Sequence, residues 1–170
     1  MRDDSQRWAP PRDRSAEITA PELTIRALDL TRLTLLSGPR ALSSTSLPLV
    51  DWPGLARGEN YAISLRRDRV MEVNGPERPE GWDTKQNLAI SDVTDAYSQV
   101  DITGPNAIAL LNRGTELDLA IPSRSAARLL FGLGVFLYRH GQEDRFRLHV
   151  SAAHDEALWN ALNDAAQHLT

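Results

Sequence analysis

The sequence has 170 residues, of which 41% are hydrophobic and 25% are charged, the balance of an ordinary globular protein. Its formal net charge of −4 argues against nucleic-acid and anionic-membrane partners, because both need a basic face. The absence of cysteine excludes disulfides, zinc-thiolate sites, iron–sulfur clusters and thiol nucleophiles. No window approaches the ~20 consecutive apolar residues of a membrane span, and the polar start lacks the apolar core of a signal peptide. We therefore expect a soluble, cytoplasmic protein.

Residues 1–21 combine many charged side chains with three prolines. Such a composition cannot offset the entropy lost on ordering, so the segment is predicted to be a flexible or partner-draped leader. Trp8 is the exception, because an aromatic side chain in a flexible leader can anchor it to a neighbouring surface.

Residues 22–74 are predicted to form an N-terminal α+β half. Apolar residues recur near period two from Leu23, and Tyr61, Ile63 and Leu65 alternate with small or polar residues. A charged turn then leads to a second alternating segment around Met71, which predicts a hairpin. The following proline- and glycine-rich segment predicts a linker over 75–86.

Residues 87–170 are predicted to form a C-terminal α+β half. A strand through Val100 is stopped by Gly104-Pro105, which opens a helix. A second short helix is predicted after Pro122, followed by strands over 133–138 and 145–150 and a helix from about Ala153 to Leu169. Antiparallel hairpins with helices on one face indicate an α+β fold and not a doubly wound sheet.

The search for chemistry finds no catalytic, cofactor-binding or metal-binding residues. The four histidines show neither HxH nor HExxH spacing; His140 is expected at the surface and His154 near the start of the last helix, where it could help to cap it. Gly132 and Gly134 precede a strand, so they are expected to turn the chain and not to hold a phosphate. Asp92, Asp95 and Asp101 are expected to cap turns, since too few oxygen ligands converge for a metal.

One basic cluster is open to several interpretations. Arg145, Arg147 and His149 lie at period two on one face of a strand. They could form an anion site, a solvated sheet face or a contact with another chain. We take these three residues, together with Trp8, as the candidate partner interface.

An ordered series of segments resembles the gamma subunit of heterotetrameric sarcosine oxidase. The series begins with Ser91-Asp92-Val93-Thr94 and continues with the strand ending in Gly104-Pro105 and its helix. It then runs through Leu117-Asp118-Leu119, the SRSAAR segment at 123–128, the two strands, and the closing helix with Leu158-Trp159. The resemblance covers about half the chain and rests on the order and spacing of these pieces together.

This resemblance implies a fold similar to the folate-binding aminomethyltransferase domain, built from two related α+β halves of mainly antiparallel sheet. In such complexes the alpha and beta flavoprotein subunits carry FAD, FMN, NAD and the tetrahydrofolate site. The gamma subunit holds no cofactor and packs on the alpha subunit. The implied function is an accessory role in the oxidative demethylation of sarcosine or a related N-methyl amino acid.

Two other functions stay open from the sequence. The first is a stand-alone folate-binding, aminomethyltransferase-like protein, although such proteins are about twice as long. The second is a regulatory domain that binds a small molecule through Arg145, Arg147 and His149.

Overall fold

The computed structural model describes residues 13–29, 32–115 and 118–169. Three α-helices occur in this part of the chain: α1 (Ala41–Ser44), α2 (Ala107–Gly114) and α3 (Asp155–Gln167). The strands of the first sheet are β1 (Glu17–Ala20), β2 (Leu23–Leu28), β5 (Leu55–Ala56), β10 (Tyr97–Thr103), β11 (Ala127–Leu130), β12 (Leu133–His140) and β13 (Arg145–Ser151). The strands of the second sheet are β3 (Leu33–Ser37), β4 (Leu49–Val50), β6 (Tyr61–Arg66), β7 (Arg69–Val73), β8 (Gly81–Asp83) and β9 (Leu88–Asp92).

Both sheets are mainly antiparallel. The first has the order β1-β2-β10-β13-β12-β11, with β5 beside the end of β12, and the second has the order β4-β6-β7-β3-β9-β8. Only the β4–β6 and β5–β12 pairs are parallel among the described strands. The predicted α+β class is therefore confirmed.

The two faces of the first sheet differ in chemistry. Alternate residues of the central strands, such as Ile102, Leu148 and Leu137, are buried against α2 and α3 in the largest apolar core. The residues between them, including Asp101, Arg147 and Tyr138, point to the opposite face, because successive side chains of a strand alternate. The helices thus cover the apolar face and leave a polar face for the second sheet.

The second sheet packs on part of that polar face. Tyr61, Ile63 and Met71 form a second core together with Tyr138 and Ala56 of the first sheet. The outer face of the second sheet carries a smaller core around Val70 and Ile90, which α1 closes through Ala41. None of the helices in the described ranges is long and apolar enough to cross a membrane.

The structure differs from the predicted leader and halves. Trp8 lies outside the described residues, but Glu17–Ala20 form an edge strand paired along its length with β2, so the prediction of a leader to residue 21 is too long. The predicted linker contains β8, which pairs with β9. In addition, β2 joins the sheet of the C-terminal strands, whereas β9 joins the sheet of the N-terminal strands. The two sheets therefore do not correspond to consecutive halves of the sequence.

The prediction of a second short helix after Pro122 is wrong. Residues 127–130 form β11, which pairs with β12 through a tight turn. Phe131 and Gly132 both have positive φ in this turn, at 51° and 77°, as a type I′ hairpin turn requires. The β6–β7 hairpin, the strand before Gly104 and the helices α2 and α3 are confirmed.

Candidate functional site

A buried carboxylate with two arginines lies at the centre of the polar face. Asp101 on β10 is directly opposite Arg147 on β13, and both residues are buried. Arg147 donates from Nε to Asp101 Oδ1 at 2.7 Å and from Nη2 to Oδ2 at 3.2 Å. Arg145 donates from Nε to the same Oδ2 at 2.8 Å and also from its Nη2. One carboxylate therefore pairs with two guanidinium groups.

A chain of hydrogen bonds extends from Arg147 into the interface between the sheets. Its Nη1 donates to Tyr61 Oη at 3.1 Å, and Tyr61 Oη lies 2.8 Å from Tyr138 Oη. Tyr138 Oη lies in turn 2.8 Å from His149 Nε2. Because a guanidinium can only donate, the Tyr61 hydroxyl oxygen accepts from Arg147, and the hydroxyls of Tyr61 and Tyr138 continue the chain of hydrogen bonds to the imidazole Nε2. His149 Nδ1, the other ring nitrogen, is buried and has no hydrogen-bond partner among the described residues.

Burial keeps the titratable groups of this network in fixed states. The pKa of His149 is lowered to about 3, first by burial and then by the nearby positive charge of Arg147. Burial likewise raises the pKa of Tyr61, and burial together with Tyr61 raises the pKa of Tyr138 well above its ordinary value. None of these three shifts moves a group toward neutral pH, so they favour a structural network over acid–base chemistry.

Of the four residues predicted to form a partner interface, the structure buries two and leaves one partly exposed. The prediction that Arg147 and His149 contact a partner is wrong, because both are buried inside the chain, with 7% and 0% exposure. The side chain of Arg145 is 35% exposed and can still contact a partner or ligand. The role of Trp8 as an anchor stays a prediction, since it lies outside the described residues.

The other histidines and aspartates have local roles. His140 is buried and not at the surface as predicted, and its Nε2 lies 3.0 Å from the carbonyl oxygen of Gly58. His154 precedes α3, but its side chain makes no capping hydrogen bond. Asp92 caps a turn, as predicted, by accepting from the backbone N–H of Thr94 at 2.9 Å. The described residues contain no group of three or more histidines, cysteines or carboxylates that could hold a metal ion.

Beside this network, the second sheet leaves part of the polar face open. A cavity of about 410 Å³ is lined by residues of β2, β10 and β13 and by one turn residue: Thr24, Arg26, Leu28, Asp101, Thr103, Gln142 and Arg145. A second cavity of about 240 Å³ shares Leu28 and Arg145 with it and reaches the second sheet at Val73 and Asn74. We call these the first and second cavities.

Sequence reasoning missed Asp101, Tyr61 and Tyr138 as members of the network. The signal was available in part, because Asp101 and Arg147 each interrupt strands with many apolar residues. The pairing of these two strands, however, joins residues 46 positions apart and is not visible in local periodicity. The sequence indicates strands around Tyr61 and Tyr138, but nothing in it shows which polar atoms meet across two sheets.

The fold and the network define a two-sheet α+β domain whose buried charged groups are paired inside the chain. No protein-family model matches it. The chain is 34% identical over 83 residues to an aminomethyltransferase from Exiguobacterium sibiricum, and this match covers 46% of the chain and 23% of the relative. The match thus spans less than a quarter of the curated relative's length.

Similarity of structure extends much further than similarity of sequence. The chain superposes on a chain of the heterotetrameric sarcosine oxidase from Corynebacterium sp. U-96, solved in complex with pyrrole 2-carboxylate, with a TM-score of 0.70 and 19% sequence identity. The superposition covers 91% of this chain and 89% of the other, so the two are close in length. The protein therefore has the fold of a sarcosine oxidase chain, and the resemblance indicated by the sequence is confirmed at the level of the fold.

Proposed function

We propose that this chain is a non-catalytic gamma subunit of a sarcosine-oxidase-like flavoenzyme complex. The observation that carries the proposal is the superposition along nearly the whole of both chains on a member of a heterotetramer. A chain of matching length and fold fits the place of one small subunit, whereas the aminomethyltransferase match covers only 23% of a much longer protein.

The buried network supports an accessory role. Asp101, the buried carboxylate of the network, is bound by two arginines, and the imidazole of His149 is held neutral by burial. A general acid or base needs a free proton-transfer partner and a pKa near the working pH. The network offers neither, so the chemistry of the complex would be carried by other subunits.

In this proposal the alpha and beta subunits hold FAD, FMN, NAD and tetrahydrofolate, and this chain packs on alpha in the cytoplasm. The complex would oxidatively demethylate sarcosine or a related N-methyl amino acid. Arg145 and Trp8 are the residues of this chain proposed to contact alpha.

Isolation of the tagged chain from its native host tests the proposal. We expect two larger subunits to copurify in fixed ratio, with flavin absorbance and sarcosine-dependent consumption of oxygen. The same tag on an unrelated protein is the control for nonspecific capture. A chain that is monomeric in the native extract, with no flavoprotein attached, would contradict the proposal.

A stand-alone folate-binding protein is the second candidate, favoured by the aminomethyltransferase match. The lining of the first cavity contains no aromatic side chain on which a pteridine ring could stack, so this cavity lacks a stacking surface for tetrahydrofolate. Titration of the isolated chain with tetrahydrofolate separates the two candidates. The subunit proposal expects no saturable binding, and a stand-alone folate protein requires it.

A further inference from the structure

The first cavity is lined by more guanidinium groups than carboxylates. Arg145 and Arg147 both pair with Asp101, and Arg26 pairs with Glu17 on the neighbouring edge strand. The lining of the first cavity thus holds two guanidinium groups, Arg26 and Arg145, and one carboxylate, Asp101, which is shared with Arg147. The excess charge belongs to a region that is partly shielded from water, where an unpaired cation is costlier than on an open surface.

Arg145 is the group able to use this charge on a ligand. Arg147 is buried, with its guanidinium bound to both oxygens of Asp101 and to Tyr61. Arg145 bonds Asp101 only through Nε and Nη2, and its side chain is 35% exposed toward the cavity it lines. Its Nη1 is therefore left to donate to an incoming group.

Three neutral polar side chains lie around this guanidinium. Thr103 is directly opposite both Thr24 on β2 and Arg145 on β13, which places the three residues in one row across the sheet. Gln142 completes the lining from the turn before β13. Among the described residues, the side chains of Thr24, Thr103 and Gln142 have no hydrogen-bond partner, so all three are free to donate to an anion.

The second cavity limits the charge of the ligand. Asp29 and Glu59 lie in its lining, on the far side of Arg145, and both are exposed carboxylates. They would repel negative charge on a ligand held at Arg145, and would disfavour a dianion more strongly than a monoanion. The volume of about 410 Å³ is within the range of small-molecule sites.

We propose that the first cavity is a binding site for a small molecule with a single carboxylate group, which pairs with Arg145 and accepts hydrogen bonds from Thr24, Thr103 and Gln142. A guanidinium with flanking hydroxyl groups is well suited to a carboxylate. The inference concerns this chain alone. It does not depend on the proposed subunit function, and either can fail without the other.

Titration of the full-length chain with sodium acetate, followed by amide NMR at pH 7.5, tests the site. Sodium chloride keeps the ionic strength constant, so that general screening does not mimic binding. We expect saturable shifts of the amides at residues 24, 103, 142 and 145, and weaker binding of inorganic phosphate. Acetate without saturable shifts at these residues, or phosphate binding more tightly than acetate, would overturn the proposal.

Substitutions locate the binding group. Arg145→Gln should raise the acetate dissociation constant about ten-fold or more, because the charge-assisted bond is lost. Arg67→Gln removes the same charge from the exposed β6–β7 turn and is the matched control, expected to bind like the wild type. Thr24→Val keeps the shape and charge of the side chain and should weaken acetate binding several-fold. This variant tests the site even if Arg145→Gln does not fold. Equal affinity in all variants would refute the site.

Discussion

At the scale of single residues, the buried network couples two charges to two tyrosines and one neutral imidazole. Breaking a buried ion pair by removing one partner leaves the other charge uncompensated, which is costly. The exposed Arg26–Glu17 pair on the same face has no such consequence, since water can solvate either partner. The network therefore fixes how the two sheets meet more than it adds net stability, and His149 at its end is the group most sensitive to pH.

His149 makes stability depend on pH near neutrality. Its pKa is about 3 in the folded chain and about 6.5 in an unfolded one, so only the unfolded chain takes up this proton at mildly acidic pH. The contribution of His149 to the free energy of unfolding is fully present well above pH 6.5 and is lost progressively as the pH falls toward 3. Between pH 7.5 and 5.5, this linkage lowers the free energy of unfolding by about 1.4 kcal/mol.

Urea denaturation at the two pH values measures this effect. In His149→Gln the neutral side-chain amide can still hydrogen-bond to the Tyr138 hydroxyl, and the loss of unfolding free energy between pH 7.5 and 5.5 should shrink by about 1.4 kcal/mol. His168→Gln, which removes an exposed histidine outside the network, is the control and should behave as wild type. A His149→Gln variant with the full wild-type pH dependence would show that the histidine is not held neutral in the fold.

At the scale of elements, the β11–β12 hairpin shows what local sequence does and does not determine. Ala126, Ala127, Leu129 and Leu130 satisfy the spacing of a short helix, yet 127–130 form a strand. Pairing with β12 and a turn with positive φ at Phe131 and Gly132 decide the outcome. By contrast, the period of α2 and α3 and the alternation of β6 and β7 were sufficient, because these elements have clear start and stop signals.

The turn glycine should be the sensitive position of this hairpin. Gly132 has a φ of 77° and no atom within 4 Å of an added Cβ, so alanine there suffers backbone strain without a steric clash. Gly132→Ala is expected to lower the free energy of unfolding by about 1–2 kcal/mol. Gly134→Ala also places its Cβ in open space but without positive φ, and it should be neutral or slightly stabilising. Urea denaturation compares the two, and equal losses would rule out strain as the cause.

At the scale of the whole molecule, the sequence predicted the fold class but not how its parts interlock. The alternation of β10 and β13 shows that Arg147 and His149 share a face, but not that Tyr61 from the other sheet covers it. The exchange of β2 and β9 between the sheets likewise depends on pairings far apart in sequence. Burial of Arg147 and His149 follows from these long-range contacts, which local alternation does not show.

The same interlocking predicts that the chain unfolds as one unit. The strand β2 lies in the N-terminal segment but belongs to the first sheet, and β9 lies in the C-terminal segment but belongs to the second. Each segment therefore contributes strands to both sheets, and neither sheet can unfold without disrupting both segments. The shared core of Tyr61 and Tyr138 couples the sheets further. Slowly exchanging amides of Ile102 in the first sheet and Met71 in the second should therefore report the same free energy of opening by native-state hydrogen exchange.

That common value should match the global free energy of unfolding from urea denaturation, and it should fall equally at both amides in Gly132→Ala. The short edge strand β8 provides the internal contrast, since its amides can open locally at lower cost. If Met71 exchanged through an opening that left Ile102 protected, the second sheet would be an independent unit. A common value would instead mean that a partner bound to either sheet stabilises the whole chain by mass action.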